Sequence, residues 1–114
     1  MAKVFITNEP HRVENGVTKS VFDLTPAAEY GELEVLIPAG ASLISAIPMV
    51  RTMRDRLADF SDDDFLLPVG DPASIMAAGA IAAEMNNGRI KLLRWDRATR
   101  RYIVIQIDVK GKAL

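Results

Sequence analysis

The stretch from Phe65 to Asp108 constrains the fold of this chain most. It begins with a short apolar run, FLLPV, turns into the alanine-rich segment SIMAAGAIAAEM, and returns through NNG into RIKLLRW and YIVIQIDV. A short apolar run bounded by turn residues reads as a buried strand. A helix-length segment between two such runs reads as a β-α-β unit, with a right-handed crossover and parallel strands. The last two runs are separated only by DRATRR and read as an antiparallel hairpin.

The same logic extends upstream. ELEVLIP (32–38) alternates and then becomes continuously apolar, as a buried strand does, and the small-residue connection PAGASLISAIP follows it. From Pro48, the residues Val50, Met53, Leu57 and Phe60 recur at three- and four-residue spacing, with Arg51, Arg54, Asp55 and Asp59 opposite. That pattern predicts an amphipathic helix lying on a sheet, its methionines serving as core filler. The second helix, Pro72 to about Asn86, is apolar all round and is expected to be buried on most sides, with Asn86-Asn87-Gly88 as its left-handed stop. Ahead of these, KVFIT reads as a short strand, NEPHRVENGVTKS as a loop or hairpin tip, and Thr25-Pro26 as the capped start of one helical turn ending at Gly31.

The expected fold is therefore α/β: a small, mainly parallel sheet in β-α-β-α-β order with an antiparallel C-terminal hairpin strand. At 114 residues the chain is long enough for one hydrophobic core. We expect a single α/β domain over 1–114, with residues 1–31 as an N-terminal strand and loop-rich arm and residues 32–109 as the βαβαββ core.

Several chemistries are disfavoured. The chain has no cysteine, which removes disulfides, thiolate catalysis and cysteine metal sites and fits a cytoplasmic protein. Its one histidine, His11, lies in a polar stretch beside Pro10 and reads as a surface residue, too isolated to serve a Ser/His/Asp set. Asp62, Asp63 and Asp64 read as a solvated turn, because three adjacent carboxylates on a loop cannot all face one ion. No metal or cofactor is expected. MAKVFITNEPHR holds no long apolar run, so neither a signal peptide nor a spanning helix is expected.

One phosphate site needs weighing. Ligands of parallel sheets bind beyond the carboxyl ends of the strands, and helix N-termini attract anions. A nucleotide phosphate placed there would meet Ser42, Ser45, Gly70 and Ser74. Against it, Asp71 takes the N-cap position and puts a carboxylate where the phosphate would lie, while Pro72 removes an amide donor. No glycine-rich phosphate motif is present. Gly70-Asp71-Pro72 reads as a helix start, and enzyme is the disfavoured class.

Charge layout points elsewhere. Residues 1–88 hold 6 basic and 13 acidic side chains, whereas residues 89–114 hold 8 basic and 2 acidic ones. Within that basic end, Arg94, Arg97, Arg100 and Arg101 alternate with Trp95 and Tyr102 around the hairpin tip. Arginines neutralise phosphates and aromatic rings stack on bases, so the tip is a candidate for nucleic-acid or partner binding. Two structural readings compete. Charged hairpins also serve as soluble sheet edges, and Asp96 is placed to pair with Arg97 or Arg100. Leu93 and Trp95 share a strand face, and both are candidates for burial under the alanine helix.

The segments LTPAAEYGEL, DFLLPVGDP and GRIKLLRWDRATRRY, in this order and spacing, resemble small uncharacterised proteins of tailed bacteriophages over about Val4 to Val109. The resemblance implies a phage origin and carries over no catalytic residue. Small phage proteins of this size serve host takeover, replication or transcription by binding. The leading expectation is thus a non-enzymatic binding protein acting on a protein or nucleoprotein partner, with self-association through the opposed charges included. The alternatives are single-stranded nucleic-acid binding by the basic hairpin, and a small nucleotide-binding domain using the loops at the strand ends.

Overall fold

The computed structural model describes residues 2–9, 11–20, 23–38 and 46–113. Its strands are β1 (Lys3–Ile6), β2 (His11–Glu14), β3 (Val17–Ser20), β4 (Glu32–Val35), β5 (Phe65–Leu67), β6 (Arg89–Asp96) and β7 (Arg101–Asp108). The helices are a 3-10 helix (Thr25–Tyr30), α1 (Ala46–Arg56) and α2 (Pro72–Met85). Among the described residues, five strands form one sheet in the order β4-β1-β5-β6-β7, and β2 pairs with β3 in a separate two-stranded hairpin. The pairs β4-β1, β1-β5 and β5-β6 are parallel, and β6-β7 is antiparallel. The chain has the mainly parallel α/β fold with an antiparallel final hairpin that its sequence predicts.

β1 differs from expectation. The sequence places it in an arm ahead of the core, but it lies inside the sheet, hydrogen-bonded to β4 on one side and β5 on the other. Its residues explain the position. Val4 and Ile6 are buried on one face and Phe5 on the other, which suits only a strand covered on both sides.

α1 and α2 cover one face. There Met49, Met53, Leu57 and Phe60 meet Phe5, Leu66, Ile81 and Ile90, with Arg51, Arg54, Asp55 and Asp59 left outside. The expected amphipathic helix is present, but its regular part ends at Arg56, and Leu57 and Phe60 continue inward through a turn. α2 is not buried on most sides. Ser74, Ala78, Ile81 and Ala82 point inward, whereas Ala73, Met76, Ala80 and Glu84 lie on an exposed face, with Met76 74% exposed. Small alanines permit close approach on one side without requiring cover on the other. The helix stops as predicted, at Asn87 (φ 55°) and Gly88 (φ 87°).

The 3-10 helix covers the opposite face. It packs Ala27, with Leu24 and Tyr30 partly buried, against Val4, Ile6, Phe65, Leu67, Leu93 and Tyr102. Thr25 is its first residue and not its cap. The Asp23 carboxylate instead accepts hydrogen bonds from the Thr25 amide, at 3.0 Å, and from the Thr25 hydroxyl. Tyr30 stacks edge-on against Phe65, with centroids 5.5 Å apart, and its hydroxyl donates to the Tyr102 carbonyl at 2.7 Å. This bond ties the 3-10 helix to β7. Tyr30→Phe is expected to cost about 1 kcal/mol, the net value of a partly buried hydrogen bond, read from the urea midpoint at unchanged slope.

The acidic run is divided among structural duties. Asp62 pairs with Arg89 (3.1 Å) and accepts from Asn86 (2.8 Å). Asp64 is buried and accepts from the amides of Lys3 and Ser61, both at 3.0 Å. Among the described residues no group of histidine or acidic side chains is arranged to hold a metal ion. Nor is any helix among them long and apolar enough to cross a membrane.

Candidate functional site

Three strand ends converge at the carboxyl edge of the parallel sheet. Thr7 and Asn8 follow β1 there, Pro68 to Asp71 follow β5, and the tip of the β6–β7 hairpin follows β6. Thr7 and Asn8 lock the β5–α2 connection in place. The Thr7 hydroxyl donates to the Val69 carbonyl at 2.6 Å and accepts from the Val69 amide at 2.9 Å. Asn8 accepts from the Asp71 amide at 3.0 Å and donates to the Ile37 carbonyl at 3.2 Å. Asp71 caps α2 as predicted, accepting from Ala73 (2.9 Å) and Ser74 (3.2 Å).

At the loops where a phosphate would lie, the described residues are already engaged. Gly70, with φ +90°, stands against Asn8, where an added Cβ would lie 2.7 Å from the Asn8 carbonyl oxygen. The Asp71 carboxylate is engaged with the helix amides. Ser74 is buried, its hydroxyl 3.4 Å from the Met49 sulfur. Ser42 and Ser45 lie outside the described residues.

The hairpin tip is arranged differently. Asp96 does not pair with Arg97 or Arg100. Its carboxylate accepts from the Thr99 hydroxyl at 2.6 Å and from the Ala98 amide at 3.3 Å, closing the turn. The Thr99 bond chiefly holds the Asp96 carboxyl below the usual carboxylate range. Arg100 adopts a left-handed conformation, φ 54°. Arg94, Arg97, Arg100 and Arg101 are all exposed. Ion pairs among the described residues engage Lys3, Arg54, Arg56 and Arg89, and none engages these four. At the other end of β6, Arg89 is held by Asp62, and Lys91 sits 4.3 Å from the Phe65 ring centroid.

Trp95 is not under α2. Strand alternation puts Ile90 and Leu92 on the helix face, and so turns Leu93 and Trp95 to the face of the 3-10 helix. Leu93 is buried there, while Trp95 remains 43% exposed, edge-on to Tyr102 with centroids 5.0 Å apart. Burial, with the Asp23 charge as a lesser cause, pushes the Tyr102 phenol up, so that it stays neutral.

Between these rings and the start of the 3-10 helix lies a cleft of about 610 Å³. Leu24, Leu67 and Leu93 give it apolar walls, Trp95 and Tyr102 an aromatic one, and Asp23 faces the opposite charges of Arg94 and Arg97. Pro68 and Val69 also border it, so the hairpin tip and the β5–α2 connection belong to one surface. Asp23, Leu24 and Val69 were not legible as site residues, because only the docking of the 3-10 helix brings them there. A smaller hollow at the opposite end, about 320 Å³, is lined by Asp62, Asn86 and Arg89, which are bonded to one another.

A family model described as phage Pam3 gp32-like protein matches residues 2–109. The chain belongs to this family. The match bears out the phage kinship read from the sequence, and its span takes in the whole five-stranded sheet, the cleft and the hairpin of this Pam3 gp32-like protein. No curated protein and no solved structure matches the chain.

Proposed function

We propose that this Pam3 gp32-like protein is a binding protein of the host cytoplasm that engages single-stranded nucleic acid through its β6–β7 hairpin. One observation carries the reading: a half-exposed tryptophan beside four exposed arginines, none of which forms an ion pair among the described residues. Guanidinium groups displace counterions from phosphates, and an exposed indole offers a face to an unpaired base. The negative charge of residues 1–88 directs an anionic strand toward the hairpin.

The test is binding of a fluorescent single-stranded oligomer across a salt series. Four phosphate contacts give a log-log slope near −2.8, at about −0.7 each, and changing Arg97, Arg100 and Arg101 to glutamine should reduce it to about −0.7. Those side chains lie outside the core, so the triple variant should melt with the parent. Trp95→Ala should cost about 1 to 3 kcal/mol of binding where a base stacks. Because Trp95 is the only tryptophan, its emission reports directly on the site. A parent that does not bind, or a triple variant that binds equally well, overturns the reading.

The opposed charges of the two chain regions support a second reading, a protein partner or head-to-tail self-association. Light scattering across the same salt series distinguishes it, because an assembly held this way falls apart as salt rises.

A further inference from the structure

We infer that the cleft between the hairpin and the 3-10 helix is a nucleotide subsite, admitting one base that carries an exocyclic amino group with its phosphate toward Arg97. The inference rests on the hairpin reading for its phosphate end and goes beyond it by giving the surface a preference among bases.

Its shape and lining carry the argument. At about 610 Å³ the cleft falls within the range of small-molecule sites. Leu24, Leu67 and Leu93 form an apolar wall suited to a flat ring, and the Trp95–Tyr102 pair supplies an aromatic border. Tyr102 is buried among core residues, so this border is held in place before a ligand arrives.

The charges are separated by element. Asp23 stands at the start of the 3-10 helix and Arg97 on the hairpin tip, so a ligand with a donor at one end and an anion at the other satisfies both. One Asp23 oxygen already accepts from the Thr25 amide and hydroxyl. The hydroxyl bond first, and then the amide, holds its carboxyl below the usual range. At neutral pH the second oxygen is therefore an acceptor only. It favours the amino group of cytosine, adenine or guanine and repels the carbonyl that uracil and thymine present in its place.

Cytosine and uracil have the same ring size and differ at that position by this exchange of donor for acceptor. Calorimetric titration of the protein with cytidine and uridine 5′-monophosphates should show the cytidine form bound tighter by about tenfold or more, as for a hydrogen bond to a charged group. Asp23→Asn can donate or accept, so it should bring the two affinities together. Oligo(dC) and oligo(dT), titrated alongside, separate a base within a strand from a free nucleotide. If both oligomers bind equally and the monophosphates do not differ, the hairpin reading stands and the base-selective subsite is overturned. If cytidine monophosphate alone is bound, the cleft is a free-nucleotide site and the strand reading falls. If nothing binds, both fall. Should Asp23→Asn fail to fold, the cytidine-to-uridine ratio of the parent still decides.

Discussion

Gly70→Ala should destabilise the protein by roughly 2 to 4 kcal/mol, although it adds a single methyl group. Two independent effects combine. At φ +90° an L side chain is strained by about 1 kcal/mol or more. In addition, its Cβ would lie 2.6 Å from the Asn8 Cβ and 2.7 Å from the Asn8 carbonyl oxygen, so the loop must move off Asn8. That movement breaks the 3.0 Å bond from the Asp71 amide and leaves a buried amide oxygen unpartnered, at a further cost of about 1 to 3 kcal/mol. Urea unfolding measures the effect as a shift in midpoint at constant slope. A loss below about 1 kcal/mol would show that Asn8 does not shape this loop.

Leu93→Ala should cost about 3 kcal/mol, within the range for a fully buried leucine. Leu93 is 1% exposed and packs with Leu67 and Tyr102 on the face of the 3-10 helix. It also forms part of the cleft wall, so its loss should weaken any ligand bound there and shift the emission of Trp95, two residues along on the same face. Trp95→Ala should cost less, about 1 to 2 kcal/mol, because nearly half of that ring is already in water. Thermal melts of the two variants rank them. A reversed order would place the indole, and not Leu93, in the core.

The parts that were legible are those set by local chemistry. The succession FLLPV, alanine helix, RIKLLRW predicts parallel neighbours, and β5 and β6 are parallel neighbours. Asp71 ahead of Pro72 predicts the cap that forms, and Asn86-Asn87-Gly88 the stop. Other features depend on distant partners. The side-chain period of a strand shows that Leu93 and Trp95 share a face, but Ile90 and Leu92 make the opposite face equally apolar. Which face meets α2 is settled by packing alone. Thr25-Pro26 signals a helical turn without saying that it folds over β6 to build the cleft. KVFI is too short and too far from its partners to announce an interior strand. The hairpin arginines were legible as candidates, but the sequence offers Asp96 as a partner for Arg97 or Arg100, and only the folded turn commits that carboxylate to Thr99 and Ala98.

The position of β1 has a consequence for how the chain folds as it is made. Lys3–Ile6 emerges first, but it pairs with Glu32–Val35 and Phe65–Leu67, which follow much later. β4 and β5 are successive strands joined through α1, yet β1 lies between them, so that crossover passes over the strand made first. Closing a loop costs about 0.6 kcal/mol more for each doubling of its length, so the contact with β4 is the cheaper one to make first. The β6–β7 hairpin, by contrast, closes over a short turn and needs no distant partner. The hairpin can thus close on its own residues, whereas the middle of the sheet needs the strand made first together with strands made much later.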